Sequence, residues 1–245
     1  MRKNFKLTIQ YDGTDFHGWQ VQAQGRTVQG DIEKALSKIY PEEKISLIGA
    51  GRTDAGVHAL ALTANINLSA KLSPEKLHQA LNGNLDRDIQ INSILEVDAS
   101  FHARFSASAR EYEYRLVKSF SPINRNYTST LKWELDTEKI NQCTDLLLGK
   151  HDFTSFCKAN AEVNNKICTV SLCYWEVFSE QLIFVIRANR FLQHMVRYLV
   201  GTMIEVGRGR YSISDFKNLL NNKETSAMVV RAQAQGLFLK KVYYD

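Results

Sequence analysis

Proline is scarce in this 245-residue chain, with three residues in all. So little proline leaves no room for a proline-rich linker, and long disordered stretches are not expected. Cysteine is sparse too: Cys143, Cys157, Cys168 and Cys173. None of them forms a C-x-x-C pair, and no histidine stands at zinc-finger spacing from them. Free thiols and no metal site are therefore expected. No run of about 18 apolar residues occurs, which argues against a transmembrane helix. Charge of one sign is not concentrated: 31 Lys and Arg against 26 Asp and Glu leave +5. That surplus permits an anionic partner without demanding one.

The remainder is ordinary for a globular protein, with 44% apolar and 23% charged residues. The length suits one large domain or two small ones. Met1-Arg2-Lys3-Asn4 runs straight into alternation at Phe5, Leu7, Ile9 and Tyr11. No hydrophobic signal region precedes it, so a cytoplasmic protein is expected.

Periodicity divides the chain into two similar halves. The strand Phe5 to Tyr11 is followed by a helix capped by Thr27, with Val28, Ile32, Ala35, Leu36 and Ile39 on one face. Ile45 to Ile48 reads as a short strand and Leu60 to Leu68 as a longer one. Ser73-Pro74 opens a second helix, and Ile89 to Val97 closes the half. The order β-α-β-β-α-β is that of ferredoxin-like folds. In the second half, Tyr112, Tyr114 and Leu116 alternate as a strand. Thr137 caps a helix that Gly149 stops. Trp175 to Phe178 and Leu182 to Ile186 flank a turn at Ser179-Glu180-Gln181. Leu192, Met195, Val196, Leu199, Val200, Met203 and Ile204 form the wide stripe of a buried helix. Ser212 and Asp215 are spaced as a capping box, and Leu237 to Tyr243 ends the chain as a strand. The expected division is residues 1–107 and 108–245, in an α+β fold.

The stretch richest in chemistry is Gly51-Arg52-Thr53-Asp54-Ala55-Gly56-Val57-His58. Glycines allow a tight turn and close approach of a ligand. A carboxylate next to a guanidinium stays ionised, so the stretch suits the display of a fixed anion or nucleophile at the rim of a cleft. On spacing alone, a surface turn with a local Arg–Asp pair is the commoner meaning.

The stretch closely resembles the catalytic signature of the tRNA pseudouridine synthase A family. Five further segments resemble that family's motifs, in its order. They are Tyr11 to Gln20; Phe101 to Ala107 leading into Arg110-Glu111-Tyr112-Glu113-Tyr114; His151 to Phe156; Phe191 to Arg197 with Gly201; and Gly236 to Leu239. The resemblance implies two ferredoxin-like halves with antiparallel and mixed sheets joined around a central catalytic cleft. It implies isomerisation of uridine to pseudouridine at positions 38, 39 and 40 of the tRNA anticodon arm. That reaction needs no redox change or group donor, hence no cofactor. It implies a homodimer sharing one tRNA; neither DNA nor a membrane is an expected partner.

By the same resemblance Asp54 is the catalytic aspartate. Attack on the ribose, attack on the uracil ring and removal of a sugar proton all stay open for it. Tyr112 is the active-site tyrosine, able to stack on an extruded base and assist proton transfer; on pattern alone it is a core strand tyrosine. Arg197 is the cation that keeps Asp54 ionised, or else a solvated helix-edge arginine. Arg52 contacts phosphate or orders the flipped nucleotide, or else bonds a loop carbonyl. Leu237 packs against uracil, though alone it reads as core. Arg104 and Arg110 are candidate RNA contacts, crowded with Arg115 and Lys118; Arg187, Arg190, Arg208 and Arg210 form a second crowd. Trp19 belongs either to the cleft rim or to the core. His58, His102 and His194 have no metal-like grouping and are assigned no catalysis. Three positions depart from the family pattern: Asp86 and Gln233 stand where prolines are usual, and Cys168 where arginine is common. The rival readings are a synthase of the same fold acting on another RNA, a non-catalytic RNA-binding module and an aspartate-nucleophile hydrolase.

Overall fold

The computed structural model describes residues 2–158, 165–221 and 228–245. Two compact units emerge, one made of the chain up to Ser108 together with Phe238–Asp245, the other of Ala109–Leu237. The fold is mixed α+β.

In the first unit, strand β1 (Arg2–Tyr11) buries Phe5, Leu7, Ile9 and Tyr11 by alternation. Helix α1 (Val28–Ile39) starts at Thr27, whose hydroxyl accepts the Gly30 N–H. Val28, Ile32, Ala35 and Leu36 are its buried face; Ile39 is only half-buried, and Tyr40 just beyond the helix is buried instead. The expected strand at Ile45 to Ile48 shrinks to β2 (Ile48–Gly49). Strand β3 (His58–Ser69) begins two residues earlier than its alternation announces. Helix α2 (Pro74–Asn82) is capped by Ser73 with Pro74 at its start, and β4 (Ile89–Val97) follows. β1 pairs antiparallel with both β3 and β4, and β2 pairs antiparallel with β3. The order 4-1-3-2 is that of the ferredoxin-like unit. The far end of β3's edge is taken by β10 (Leu237–Tyr244), which runs parallel to it with Phe238 opposite His58.

In the second unit, β5 (Ala107–Val117) pairs antiparallel with β9 (Gln181–Ala188), and β9 with β8 (Ile167–Val177). This repeats the 1-3-2 order of the first half. β6 (Ser129–Thr130) adds to β5 and β7 (Gly149–Asp152) to β8. The turn between β8 and β9 falls where expected, closed by the Phe178 N–H to Gln181 O bond at 2.9 Å. β8 itself is eight residues longer at its start than its apolar end implies, because Cys168 and Val170 alternate inward as well. Helix α3 (Thr137–Leu147) is capped by Asp136, not Thr137: the Asp136 carboxylate accepts the Lys139 N–H at 3.1 Å. Helix α4 (Met195–Gly207) is buried on nearly all sides, as its wide stripe requires. Helix α5 (Ile213–Asn221) opens on the expected capping box. The Asp215 N–H donates to the Ser212 hydroxyl at 3.0 Å, and the Ser212 N–H to the Asp215 carboxylate at 2.8 Å.

Candidate active site

Asp54 sits in the loop between β2 and β3, half-buried, with Arg52 exposed beside it. The Val57 N–H donates to Asp54 O at 3.2 Å, and Gly56 in the third position has φ +75°. That is type II turn geometry, which wants glycine there. The turn is braced from outside by the opening motif. The Trp19 N–H donates to Thr53 O at 3.2 Å, and the Gly56 N–H to Phe16 O at 3.3 Å. These bonds grip the backbone on both sides of Asp54. The Tyr11 and Thr53 hydroxyls add a buried bond of 2.7 Å. Gly18 (φ +96°) permits the approach: a Cβ there would stand 2.5 Å from Thr53 O.

The brace is itself anchored. Trp19 is 1% exposed and packs toward Tyr11, so it is a core anchor and not a rim. Phe16 lies under the Arg26 guanidinium, 4.3 Å from its ring centroid. Arg26 in turn binds Asp31, Asp88 and Asp86. Asp86, one of the departures from the family pattern, thus serves as an ion-pair partner at the exposed end of this cluster. His58 is buried against the Phe238 ring, stacked at 4.6 Å, and its Nδ1 accepts the Gly13 N–H at 3.0 Å. Arg104 lies exposed on the loop before β5.

In the second unit, Tyr112 and Tyr114 share the buried strand β5. Tyr112 meets the Phe191 ring edge-on at 5.0 Å. Tyr114 is fully buried and donates to Gln233 O at 2.9 Å. Its burial pushes the phenol pKa up to about 12. Arg197 stands half-buried on α4 and ties that helix to the segment before β10: its Nε donates to Ala232 O at 2.9 Å, and the Ala232 N–H returns to Arg197 O at 3.0 Å. Leu237 is buried at the start of β10. Gln233 replaces the usual proline at φ −64°, the angle that a proline ring would impose. Its side chain bonds Gln235 and Ser129. Cys168 is wholly buried in β8 opposite His151. Arg110 donates to Asn189 O at 3.0 Å.

The arginine crowds divide by partner. Arg115 binds Glu113, Arg187 binds Glu111, and Arg208 and Arg210 both bind Glu205. All three glutamates are buried. Strand alternation did not expose Glu111 and Glu113 as core residues, because β5 is covered on both faces and buries four successive residues from Glu111. The brace around Asp54 was nearly as hard to read in the sequence, since it runs largely through backbone atoms. Its one signal was glycine at positions 13 and 18 of a motif otherwise rich in aromatics. Among the described residues no three His, Cys, Asp or Glu side chains gather as a metal site. No helix there is long and apolar enough to cross a membrane.

Arg52 and Asp54 thus lie on one loop of a split β-α-β unit, which is followed by a second unit of like strand order. The chain belongs to the tRNA pseudouridine synthase family, whose model matches residues 7–106 and 144–245. It is similar over nearly its whole length to proteins named tRNA pseudouridine synthase A. The one from Pelodictyon phaeoclathratiforme is 44% identical over 243 residues, covering 99% of this chain and 100% of that one. The Geobacillus relative is 40% identical over 247 residues and the Brachyspira hyodysenteriae relative 41% over 245. Coverage of both chains is 100% for the first and 98% for the second.

Proposed function

We propose that this enzyme converts uridine to pseudouridine at positions 38, 39 and 40 of the tRNA anticodon arm. The N1–C1′ bond of the nucleotide breaks, the detached uracil turns, and C1′ joins C5; C5 loses a proton and N1 gains one. Atoms are conserved, so the product is an isomer with the mass of the substrate. The observation that carries this reading is the family membership, with relatives matched over nearly the full length, joined to the braced turn that carries Asp54.

Asp54 supplies the anion of the reaction. Tyr112 offers a ring for stacking and a hydroxyl for proton transfer, and Arg197 is the helix-borne cation. Arg52, Arg104, Arg110 and Leu237 contact the RNA. The enzyme works in the cytoplasm as a homodimer that holds one tRNA across both subunits. The unit that runs to Ser108 carries the aspartate loop, and the unit Ala109–Leu237 carries the tyrosine and the second arginine.

The test is incubation with unmodified tRNA, followed by chemical labelling of pseudouridine and mapping by reverse-transcription stops. Asp54→Ala and Asp54→Asn are expected to abolish the product while tRNA affinity stays near that of the parent. Near-normal turnover by Asp54→Asn defeats the assignment, and stops elsewhere in the tRNA move the target. A monomer at working concentration removes the shared-tRNA arrangement without touching the chemistry.

A further inference from the structure

Phe105 is 77% exposed, an unusual place for a phenylalanine. The loop that carries it is not loosely tethered. Asn4 of β1 and Asn65 of β3, both 2% exposed, are bonded to each other at 3.0 Å. The Asn4 amide donates to Phe101 O at 2.8 Å and to Asp98 O at 3.0 Å. The Asn65 side chain accepts the Ala103 N–H at 2.8 Å. The Tyr244 hydroxyl donates to Ala103 O at 2.8 Å. Two buried amides and a phenol thus hold the root of the loop. Its tip is closed by His102, whose Nδ1 accepts the N–H groups of Arg104 at 3.2 Å and Phe105 at 3.3 Å. The Ser106 hydroxyl accepts the His102 N–H at 3.0 Å, and the Ser106 N–H returns to His102 O at 2.9 Å. The imidazole lies against the Phe105 ring at 4.3 Å with the planes 32° apart, and the Arg104 guanidinium stands 5.6 Å from that ring's centroid.

A stiffly mounted aromatic ring, backed by a second ring and flanked by a cation, matches what an unpaired nucleobase needs. Stacking supplies sequence-tolerant attraction on one face, and the adjacent arginine meets the phosphate of the same nucleotide. Because the loop is already fixed, binding loses little conformational entropy. We infer that Phe105, with His102 behind it and Arg104 beside it, is a stacking platform for an unpaired base of the RNA substrate. This rests on the RNA substrate proposed above, and it adds a binding residue separate from Asp54.

The experiment measures binding of an unmodified tRNA transcript to the full chain across a salt series, together with melting temperature and solution mass. Phe105→Ala and Phe105→Leu are each expected to weaken binding about tenfold. Phe105→Trp is expected to restore it, because it returns the π face that leucine lacks. The side chain is 77% exposed and its ring contact is with His102 on the same loop, so melting temperatures should hold; if Phe105→Ala alone loses stability, the leucine–tryptophan contrast still decides. Phe105→Ala should leave the salt slope as it was, whereas Arg104→Ala should make it shallower by about one phosphate's worth. Equal affinity of Phe105→Leu and Phe105→Trp overturns the platform. So does an affinity loss in Phe105→Ala that comes with a lower solution mass, which would make the ring a contact between copies of the chain. If the parent chain itself fails to bind tRNA, the substrate reading falls first and the platform falls with it.

Discussion

The Trp19 N–H donates to the carbonyl oxygen of Thr53 at 3.2 Å, one residue before Asp54. Trp19 is 1% exposed, so the bond ties the aspartate loop to the packed interior of its unit. The Phe16 carbonyl does the same on the far side, through Gly56. The opening motif therefore grips the backbone on both sides of the carboxylate.

Gly18→Ala tests that relationship. Its φ of +96° is strained for alanine, and the new Cβ would meet Thr53 O at 2.5 Å. The strain should cost on the order of 1–3 kcal/mol of stability. Displacing Asp54 should also lower kcat, by roughly ten- to a hundredfold, with tRNA affinity close to the parent's. Thermal melts, single-turnover kinetics and a binding isotherm on one preparation separate the effects. A lowered Tm with unchanged kcat would mean that the brace holds the fold and not the aspartate.

Tyr112→Phe and Tyr114→Phe should behave oppositely, although the two side chains are neighbours on β5. Removing the Tyr112 hydroxyl should slow turnover and spare both binding and stability. Removing the Tyr114 hydroxyl takes a donor from Gln233 O and should cost about 1 kcal/mol at neutral pH, with turnover nearly intact. Burial raises the Tyr114 pKa from 10.0 to about 12. The neutral phenol is thus favoured in the folded state, and above pH 10 the unfolded chain gains by ionising. The Tyr114 contribution is whole below pH 10 and fades as pH climbs to about 12. Urea titrations from pH 8 to 12 should show a shallower alkaline decline for Tyr114→Phe than for the parent. Parallel declines would show that another group carries it.

The four cysteines should be silent in the native protein. All are buried. Burial pushes the Cys143 thiol up to about 12 and Cys168 to about 11, and raises Cys157 and Cys173 as well. Only the thiolate reacts readily, so an aromatic disulfide reagent at pH 8 should register almost no thiol until denaturant is added. All four should then react. A thiol that titrates rapidly in the native protein would contradict its burial.

What was legible in the sequence followed the range of the interaction. The Thr27 and Ser73 caps and the Ser212–Asp215 box bond within one helical turn, and all three could be read from spacing. The cap of α3 was misplaced by one residue because Asp136 and Thr137 are both good caps, and only the Lys139 bond separates them. β2 was over-read because its apolar run fixes no partner. Just Ile48 and Gly49 reach β3, and β10, from the other end of the chain, takes the adjoining edge. The residues proposed for the site could be named from the sequence because the motifs that carry them are contiguous. The Glu111, Glu113 and Glu205 partners were hidden because charge in sequence says nothing about which side chain lies beneath it.

That last point yields a prediction about how the enzyme handles a polyanion. Arg187 gives both its Nε, at 2.8 Å, and its Nη2, at 2.6 Å, to one oxygen of Glu111, whose side chain is 6% exposed. Its charge is already matched. Arg187→Ala would strand a buried carboxylate and should lower stability by roughly 2–3 kcal/mol, less than a fully buried pair because Arg187 is one-third exposed. The salt dependence of tRNA binding should hardly change, since no phosphate loses its partner. Arg52 is exposed in the Asp54 turn. Arg52→Ala should leave the melting temperature alone and make the slope of log K against log salt shallower by about 0.7–0.9. Binding isotherms at four or more salt concentrations, paired with urea melts, give both readouts. Arg187→Ala combined with Glu111→Gln should recover much of the lost stability, because the uncompensated charge is gone. If Arg187→Ala instead flattens the salt slope and folds as well as the parent, Arg187 reaches RNA and its bond to Glu111 is incidental.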